Sequence, residues 1–441
     1  MPSNVTQASA DSPAAATIVP RLSKTASRRR LRDRLSRAVL VRLLESLHDG
    51  ALAITENGER RVFGKPVDGL AVPEITVRSP AAWTAVATGG SSGLGRGFFS
   101  GEWSVDDLDD LVVMVRVIIR NLEATERPQR MVHRFLAPLL WARVRFLERP
   151  GRRAADRRNI RAHYDLSNEF FSLFLDETMT YSCALFDSVE TSLHEAQVAK
   201  LDRLCHNLRL TAVDHVLEIG TGWGGFAIHA ARKYGCRVTT TTLSRRQFEL
   251  TTDRVARAGL ADRVTVLNSD YRDLDGSFDK LVSIEMIEAV DWRQYPRFFA
   301  KCAGLLQPGG LMALQAIVIA DRYFARAKQS RDFIKRYIFP GGCLPSVAAI
   351  LETTSKVTDL GLVALDDIGS HYAETLRRWR AGLEAHADEL KPLGFDESVH
   401  LLFDFYFCYC EAAFSERRIS DVQLLFARSR WRAERLAAPP S

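Results

Sequence analysis

A glycine-rich turn near the middle of the chain constrains the fold more than any other feature. Residues 216–219 read Val-Leu-Glu-Ile, and residues 220–225 read Gly-Thr-Gly-Trp-Gly-Gly. Glycines placed directly after a strand let the backbone pass close to a ligand and aim its amide groups at that ligand. The same pattern also opens dinucleotide-binding domains, so alone it is only moderately specific. It predicts a nucleotide-like cofactor at a strand–turn–helix unit.

The chain alternates strand-like and helix-like stretches from residue 214 onwards. The predicted strands are 216–219, 237–242, 264–268, 280–284 and 311–316. Such alternation is typical of a mostly parallel sheet with helices on both faces. We therefore predict an α/β fold built on a Rossmann-like sheet, preceded by a small α+β domain.

The length of 441 residues indicates more than one folding unit. We expect a disordered start at 1–20, a small α+β domain at 21–127, a basic helical connector at 128–158 and the α/β domain at 159–436. Within the small domain we expect helices at 31–47 and 106–121 and strands at 51–54, 61–63 and 73–77. The glycine- and serine-rich stretch 89–97 is expected to be a loop.

Positive charge is concentrated in two runs, although the net charge of the whole chain is only +6. Residues 21–42 and 143–161 are rich in arginine. Basic clusters attract lipid headgroups or nucleic acid, and they also occur as solvated helix faces. The seven cysteines lack metal-ligand spacing, so we expect reduced thiols, a cytoplasmic location and no metal site. No apolar run of about eighteen residues is present, so a lipid substrate would be reached from the membrane surface.

The residues after the second predicted strand argue against a dinucleotide. A dinucleotide fold places an acidic residue about twenty positions after the glycine turn, where it holds the ribose. Here residues 239–244 read Thr-Thr-Thr-Thr-Leu-Ser and contain no carboxylate. The cofactor therefore needs a different ribose partner.

A second segment, 163–186, precedes the glycine turn and narrows the interpretation. It reads His-Tyr-Asp-Leu-Ser-Asn-Glu-Phe-Phe-Ser-Leu-Phe-Leu-Asp-Glu-Thr-Met-Thr-Tyr-Ser-Cys-Ala-Leu-Phe. This segment and the glycine turn together resemble the cyclopropane fatty acid synthase family of class I S-adenosylmethionine-dependent methyltransferases. The resemblance extends from about residue 155 to about residue 430 and implies S-adenosylmethionine as the cofactor.

The resemblance also assigns the cofactor contacts. Tyr181 and Ser182 would close over the methionine part, and Gln247 would replace the missing carboxylate. Asp270 would accept the adenine amine and Tyr271 would cover the ring, although a capping aspartate and a core tyrosine would give the same sequence. The predicted cofactor-binding residues are Tyr181, Ser182, Glu218, Gly220, Gly222, Trp223, Gly224, Leu243, Ser244, Gln247, Asp270 and Tyr271.

The family reaction adds a methyl group to a carbon–carbon double bond, so the site has to exclude water and stabilise a carbocation. Aromatic residues suit this task, although most residues of that kind fill the core. The predicted substrate channel consists of His163, Tyr164, Phe170, Phe174, Tyr337 and Phe339. The resemblance implies that the segment 163–174 acts as a flap over the cofactor.

In this family a bound bicarbonate ion takes the proton that the reaction releases. The resemblance implies bicarbonate here too, held by side chains and by a backbone amide near Cys183. Glu285 and Glu288 both follow the fourth predicted strand, and the family register favours Glu288 as the functional carboxylate. The predicted catalytic residues are Glu288, Cys183, Tyr372, Gln315 and Cys410.

Two positions depart from the family pattern. Ala289 and Gln315 stand where many members have histidines. A glutamine can hydrogen-bond an anion, but it cannot carry charge or shuttle a proton. We therefore expect an altered arrangement of the base.

Several outcomes stay open at this stage. Ring closure would give a cyclopropane on the acyl chain of an unsaturated phospholipid, which we expect because it is the commoner activity of the family. Loss of a different proton would give a methylene branch, which a partner reductase could convert into a methyl branch. A small-molecule methyltransferase would share the glycine turn but would not need the segment 163–186.

The expected partners follow from the lipid interpretation. They are unsaturated phospholipid acyl chains, an anionic membrane surface on the inner face of the cell membrane, and a second copy of the chain in a homodimer. Nucleic acid is not expected, because the Asp/Asn-Pro-Pro-Tyr type of base-flipping motif is absent. A non-enzymatic lipid-binding protein would not need the glycine turn, Gln247 or Asp270.

Overall fold

The computed structural model describes residues 24–125 and 166–432, which form two β-sheets with flanking helices. The predicted disordered start at 1–20 and connector at 128–158 lie outside the described residues, as do His163 and Tyr164. Within the described ranges, no helix combines the length and the apolar character that crossing a membrane requires.

The first sheet and its helices form a small α+β unit, as predicted. The elements are α1 (Lys24–Glu45), β1 (Gly50–Glu56), β2 (Glu59–Lys65), β3 (Glu74–Val77), α2 (Ala81–Phe99), β4 (Trp103–Ser104) and α3 (Leu108–Thr125). The strands lie in the order β2-β1-β3-β4, with β1 antiparallel to β2 and parallel to β3. Asn57 and Gly58 connect β1 to β2 with φ angles of 53° and 83°, which a tight hairpin turn requires.

The glycine- and serine-rich stretch 89–97 is helical, which corrects the prediction of a loop. It belongs to α2, which bends at Gly90 (φ 54°, ψ −133°). A Cβ atom at Gly95 would lie 2.5 Å from the Phe333 ring and 2.9 Å from the Phe405 ring. The absent side chain lets two aromatic rings of the second half of the protein rest on the helix. Packing therefore outweighs the low helix propensity of glycine.

The second sheet has seven strands and confirms the predicted α/β fold. Its strands are β5 (His215–Ile219), β6 (Arg237–Thr241), β7 (Val264–Leu267), β8 (Phe278–Ile284), β9 (Leu306–Ile319), β10 (Gly361–Asp367) and β11 (Ile419–Ala427). They lie in the order β10-β11-β9-β8-β5-β6-β7, and the pairs among β5 to β9 are parallel. β11 runs antiparallel to both β9 and β10. Each predicted strand overlaps one of the five parallel strands.

The α-helices of the second half precede β5 or lie between later strands along the chain. They are α4 (Asn168–Ser172), α5 (Leu193–Asn207), α6 (Gly225–Tyr234), α7 (Arg245–Arg257), α8 (Tyr295–Leu305), α9 (Asp321–Ala327), α10 (Val347–Val357), α11 (Gly369–Ala385), α12 (Ala387–Leu390) and α13 (Glu397–Ser415). Because β5, β6, β7 and β8 run in the same direction, the turns that follow them meet at one edge of the sheet. That edge is where the cofactor is expected.

Helix α13 joins the two halves of the protein. The Phe405 ring of α13 lies 5.9 Å from the Phe98 ring and 6.4 Å from the Trp103 ring, measured between centroids. Arg116 of α3 donates to the Glu416 carboxylate, just after α13, at 2.7 Å. A single apolar core therefore runs through both halves. The domain limits given above stay a prediction.

Candidate active site

The glycine turn after β5 is shaped to hold a ligand. Gly220, Gly222 and Gly224 have φ angles of 100°, 52° and 86°, a range that other residues rarely adopt. A Cβ atom at Gly224 would lie 2.8 Å from the Thr251 side chain, whereas one at Gly222 would meet no atom within 4 Å. The turn is therefore packed on one side and open on the other, and this fits S-adenosylmethionine.

Two of the predicted cofactor contacts flank this turn. Glu218 is buried in β5 and accepts a hydrogen bond from the Thr240 hydroxyl at 2.6 Å. Burial raises the pKa of Glu218 to about 8. The Trp223 indole donates to the Asn168 side chain at 2.8 Å, and its ring lies 4.8 Å from the Phe171 ring. These contacts attach α4 to the glycine turn.

The turn after β6 carries Leu243, Ser244 and Gln247. Ser244 caps α7, because its hydroxyl accepts from the Gln247 backbone amide at 3.3 Å. The Gln247 side-chain oxygen accepts from the Thr242 hydroxyl at 2.8 Å. Leu243 is 70% exposed. The structure therefore places these three residues beside the glycine turn, and their contacts with the cofactor stay a prediction.

The turn after β7 carries Asp270 and Tyr271. The Asp270 carboxylate accepts from the Arg272 guanidinium at 2.8 Å and from the Arg272 backbone amide at 2.9 Å. The hydrogen bond from the guanidinium is the main reason that the pKa of Asp270 is lowered. Tyr271 packs edge-on against Phe298 at 5.5 Å. These contacts are those of a capping aspartate and a partly packed tyrosine, and adenine binding stays a prediction.

Arg254 of α7 fastens the segment 177–180 over the glycine turn. Its guanidinium donates to the carbonyl oxygens of Glu177 at 2.7 Å, Thr178 at 3.1 Å and Trp223 at 2.5 Å. A Cβ atom at Gly225 would lie 2.6 Å from the Thr180 hydroxyl oxygen, so the two segments are in close contact. Nothing in the sequence pattern marks Arg254, because all its partners are backbone oxygens distant along the chain.

Tyr181 and Ser182 continue this segment into the interior. The Ser182 hydroxyl accepts from the Lys200 ammonium at 2.7 Å, and both residues are buried. Burial lowers the pKa of Lys200. The Tyr181 hydroxyl donates to the Tyr406 hydroxyl at 3.0 Å. The segment is therefore held by α5 on one side and by α13 on the other.

Three of the predicted catalytic residues meet around Glu285. The Glu285 carboxylate accepts from the Cys183 backbone amide at 2.8 Å, from the Gln315 side chain at 2.8 Å and from the Tyr372 hydroxyl at 2.6 Å. Gln315 also donates to the Asp421 carboxyl at 2.8 Å. We refer to Cys183, Glu285, Gln315, Tyr372 and Asp421 as the acceptor cluster.

Gln315 connects the acceptor cluster to the sheet. It is fully buried, and its side-chain amide uses both hydrogens, one for Glu285 and one for Asp421. Its oxygen accepts from the Gln423 side chain at 3.1 Å. Burial raises the pKa of Asp421, and the negative charge of Glu285 raises it further. A histidine could not donate two hydrogens from one atom in this way, so glutamine suits a site with two acidic partners.

Glu288, which the family register favoured, makes hydrogen bonds outside this cluster. Its carboxylate accepts from the Ile317 backbone amide at 2.5 Å, and its carbonyl oxygen accepts from the Cys343 amide at 2.7 Å. Among the described residues, no hydrogen bond joins Glu288 to Cys183 or Tyr372. Burial raises the pKa of Glu288 to about 8, and Glu285 adds to that effect.

The family register did not favour Glu285, and the structure gives Glu285 the central position in the acceptor cluster. The signal that could have identified it is its place directly after the end of β8 at Ile284. Its φ angle of 45° is a second mark, since this left-handed conformation is uncommon for residues other than glycine. The sequence alone does not reveal that angle.

The two cysteines predicted to be catalytic, Cys183 and Cys410, do not act in the site as thiolates. The Cys183 thiol is buried and donates to the Ala184 carbonyl oxygen at 3.3 Å, so Cys183 serves the cluster through its backbone amide. Burial raises the pKa of the Cys183 thiol and of the Cys410 thiol. Cys410 is packed on the large apolar core. Both thiols therefore stay neutral near pH 7.

The predicted channel residues fall into two groups. Phe170 and Phe174 are buried in the apolar core, where their rings lie 5.8 Å apart. Tyr337 is also buried and contacts Phe99 of the small unit at 5.3 Å. Phe339 is 46% exposed, and its ring lies 6.4 Å from Tyr181. Phe339 is thus the described channel residue that combines access with proximity to the cofactor segment.

The donors of the acceptor cluster decide whether a bound bicarbonate fits there. The Cys183 amide, the Gln315 amide and the Tyr372 hydroxyl are the donors that the resemblance assigned to this anion, and all three bind the Glu285 carboxylate. The residues present therefore fit a carboxylate of the chain itself and not a separate anion. Across 24–125 and 166–432, no three His, Cys, Asp or Glu side chains are grouped to hold a metal ion.

Comparison with known proteins supports the cofactor assignment. The family model of mycolic acid cyclopropane synthetase matches residues 152–424. The chain is 39% identical over 361 residues to tuberculostearic acid methyltransferase UfaA1 of Mycobacterium tuberculosis, covering 78% of this chain and 80% of the relative. It is 33% identical over 370 residues to cyclopropane-fatty-acyl-phospholipid synthase of Escherichia coli, covering 83% of this chain and 90% of the relative.

Solved structures agree with these relatives. Mycolic acid cyclopropane synthase CmaA1, crystallised with SAH and CTAB, is 33% identical and superposes with a TM-score of 0.56 over 61% of this chain and 97% of its own. The cyclopropane synthase MmaA2 from Mycobacterium tuberculosis is 30% identical, with a TM-score of 0.57 over 62% of this chain and 98% of its own. The chain therefore belongs to the mycolic acid cyclopropane synthetase family of S-adenosylmethionine-dependent methyltransferases.

Proposed function

We propose that the protein transfers the methyl group of S-adenosylmethionine to a carbon–carbon double bond in an unsaturated fatty acyl chain of a phospholipid. The observation that carries this proposal is the close approach of the cofactor turn to the residue that follows Glu285 of the acceptor cluster. A Cβ atom at Gly220 would lie 3.0 Å from the side chain of Met286, the residue after Glu285. A methyl donor and a proton acceptor can thus act on the same methyl group. The Escherichia coli relative, named for a fatty-acyl-phospholipid product, supports the substrate class.

The electron flow requires both features. The π electrons of the alkene form the new carbon–carbon bond while the carbon–sulfur bond breaks, and its electron pair stays on sulfur. The other alkene carbon becomes a cation, which nearby aromatic faces stabilise. Tyr181 lies 5.0 Å from Trp379 and 5.4 Å from Phe171, so the cofactor segment borders such rings. Loss of a proton then completes the reaction.

Two products are compatible with this chemistry. Loss of a proton from the added methyl group with ring closure gives a cyclopropane. A hydride shift from the methyl-bearing carbon followed by loss of a methyl proton gives a methylene branch, which a separate reductase would saturate. The Escherichia coli relative favours the ring by its name, whereas the 39% identical relative is named a methyltransferase and favours the branch. A small-molecule substrate would leave the aromatic interior around Tyr181 unexplained.

Fatty-acid analysis of host cells with and without the gene tests the proposal. We expect monounsaturated chains to gain the mass of one methylene unit, and NMR of the isolated fatty acid distinguishes ring from branch. Gly220→Val is the matched inactive control, because a side chain there would meet Met286 and is disfavoured at a φ of 100°. Unchanged acyl masses, in cells that contain the folded protein, would refute the proposed function.

We propose further that α1 docks the enzyme on an anionic membrane surface on the cytoplasmic side. Four apolar residues on α1 follow one another at intervals of four and are at least 40% exposed: Leu31, Leu35, Val39 and Leu43. Arg30, Arg34 and Arg42 are exposed on the same helix, beside that apolar stripe. A basic helix with an exposed apolar stripe binds to the interface of anionic membranes.

Liposome co-sedimentation tests the docking. Binding to anionic vesicles is expected to exceed binding to neutral vesicles and to weaken with salt. Replacing Leu35 and Val39 by serine should reduce binding. Replacing Val62 by serine should not, because this residue of β2 is 48% exposed but lies outside α1. Equal, salt-independent binding to both kinds of vesicle would refute the electrostatic part.

A further inference from the structure

The Glu285 carboxylate is fixed by donors on three separate elements. Cys183 lies ahead of α5, Gln315 lies in β9 and Tyr372 lies in α11. Cys183, Gln315 and Tyr372 are themselves buried, whereas Glu285 is half-buried. The Tyr372 hydroxyl uses one lone-pair position of Oε2, and an ionised carboxylate oxygen has about two. Oε1 accepts from Cys183 and Gln315 and Oε2 accepts from Tyr372, so the carboxylate is oriented firmly.

Two further carboxyl groups lie near Glu285. Burial raises the pKa of Asp421, and the negative charge of Glu285 raises it further. Burial raises the pKa of Glu288 to about 8 as well. Of the three carboxyl groups, Glu285 is the one to which the Cys183 amide, the Gln315 side chain and the Tyr372 hydroxyl all donate.

The backbone at Glu285 is strained, which indicates that its placement matters. A φ of 45° is unfavourable for a residue with a side chain relative to glycine. The Glu285 amide donates to the Gln315 carbonyl oxygen at 2.9 Å, so the strained residue is tied to β9. Met286, the next residue, reaches the glycine turn. The strained backbone conformation thus places the Glu285 carboxylate between the cofactor turn and the other residues of the acceptor cluster.

We propose that Glu285 is the proton acceptor of the methyl transfer and that the enzyme needs no bound bicarbonate. This inference rests on the proposed function. After methyl transfer, a lone pair of Oε2 takes one proton from the added methyl carbon. The electrons of that carbon–hydrogen bond close the ring or, after the hydride shift, form the methylene double bond. Glu285 becomes a neutral carboxylic acid and later returns its proton to water.

The donors of the acceptor cluster favour a carboxylate of the chain itself over a free anion as the proton acceptor. Glu285 uses the hydrogens of the Cys183 amide and the Tyr372 hydroxyl and one of the two Gln315 side-chain hydrogens. A free anion would have to displace Glu285 from all three. A tethered carboxylate also needs no anion to be captured from solution, which removes a binding step from turnover.

Turnover by Glu285→Gln is the first test. General-base catalysis contributes roughly 10²–10⁴-fold, so we expect turnover to fall at least about a hundredfold. S-adenosylmethionine affinity, measured by calorimetry, should stay within about twofold to threefold of the unsubstituted protein, because Glu285 does not belong to the glycine turn. Glu352→Gln, an exposed residue paired with Lys356, is the surface control and should change neither quantity.

Dependence on added anions is the second test, and it separates Glu285 from bicarbonate. The unsubstituted enzyme should keep its turnover in buffer stripped of carbon dioxide. Glu285→Gly, which suits the positive φ and empties the acceptor cluster, should lose turnover and regain part of it with added bicarbonate or formate. No rescue by either anion would count against the acceptor cluster as the place of proton transfer.

Three results would overturn the role of Glu285. One is a loss of turnover by the unsubstituted enzyme when bicarbonate is removed. The second is unchanged turnover of Glu285→Gln. The third is a loss confined to Glu288→Gln, which would restore Glu288 as the acceptor. An unsubstituted enzyme that transfers no methyl group to acyl chains would instead refute the proposed function, so the two failures are distinguishable.

Discussion

Substitution of Glu288 by glutamine should flatten the dependence of stability on pH. The carboxyl oxygen Oε2 of Glu288 is shielded from solvent and lacks a hydrogen-bond partner among the described residues, although part of the residue reaches the surface. Burial raises its pKa from 4.5 to about 8. Glutamine has nearly the same shape and no charge to bury, so Glu288→Gln removes the titration while retaining an acceptor for the Ile317 amide.

The sign and the size follow from linkage between proton binding and folding. Between pH 4.5 and about 8, the folded form keeps the Glu288 proton while the unfolded form loses it. Folding stability is therefore fully favoured below pH 4.5 and declines as the pH rises through that window. The complete shift corresponds to roughly 5 kcal/mol, and the part between pH 6 and pH 9 to roughly 3 kcal/mol.

Urea denaturation at pH 6 and pH 9 measures the effect. The unsubstituted protein should lose about 3 kcal/mol more stability between these pH values than Glu288→Gln does. Glu218, whose pKa is also raised to about 8, titrates in both proteins and cancels from the comparison. Parallel losses of stability in the two proteins would refute the reasoning, because they would mean that Glu288 is ionised in the folded protein.

Three further predictions concern packing and cofactor binding. The free energy of unfolding of Gly95→Ala should be lower than that of Gly89→Ala by about 1–3 kcal/mol, because only the first adds an atom against aromatic rings. Equal melting temperatures of the two variants would contradict the packing argument. Arg254→Met should weaken S-adenosylmethionine binding about tenfold, whereas exposed Arg257→Met should not. Equal affinities by calorimetry would contradict the role of Arg254 in holding the segment 177–180 over the glycine turn. Gly225→Ala should also weaken cofactor binding, since its Cβ would press on the 177–180 segment, and unchanged affinity would show that the segment can move aside.

The sequence predicted the central sheet because that information is local. Each of the five predicted strands is a short stretch rich in apolar or β-branched residues. Right-handed crossover connections between parallel strands leave few ways to assemble them. The glycine turn was likewise predictable, since Gly220, Gly222 and Gly224 adopt backbone angles that other residues rarely adopt. Neither inference required knowledge of a distant contact.

The sequence was insufficient where a distant contact decides the outcome. The stretch 89–97 is helical because Phe333 and Phe405, far along the chain, pack on its bare backbone. Glu285 is central because residues from β9 and α11 converge on it, whereas Glu288 accepts from the Ile317 amide. The catalytic role expected for Glu288 stays a prediction. A sequence pattern does not fix which partners two carboxyl groups three residues apart will meet.

The most direct test of the account follows the methyl carbon itself. Purified protein is incubated with S-adenosylmethionine labelled with ¹³C in its methyl group and with vesicles of a monounsaturated phospholipid, and the released fatty acids are analysed by NMR. The account predicts that the label appears in a carbon bonded only to carbon and hydrogen, as a ring methylene or an exocyclic methylene. Label attached to oxygen or nitrogen, or cofactor consumed without label in the acyl chain, would contradict it.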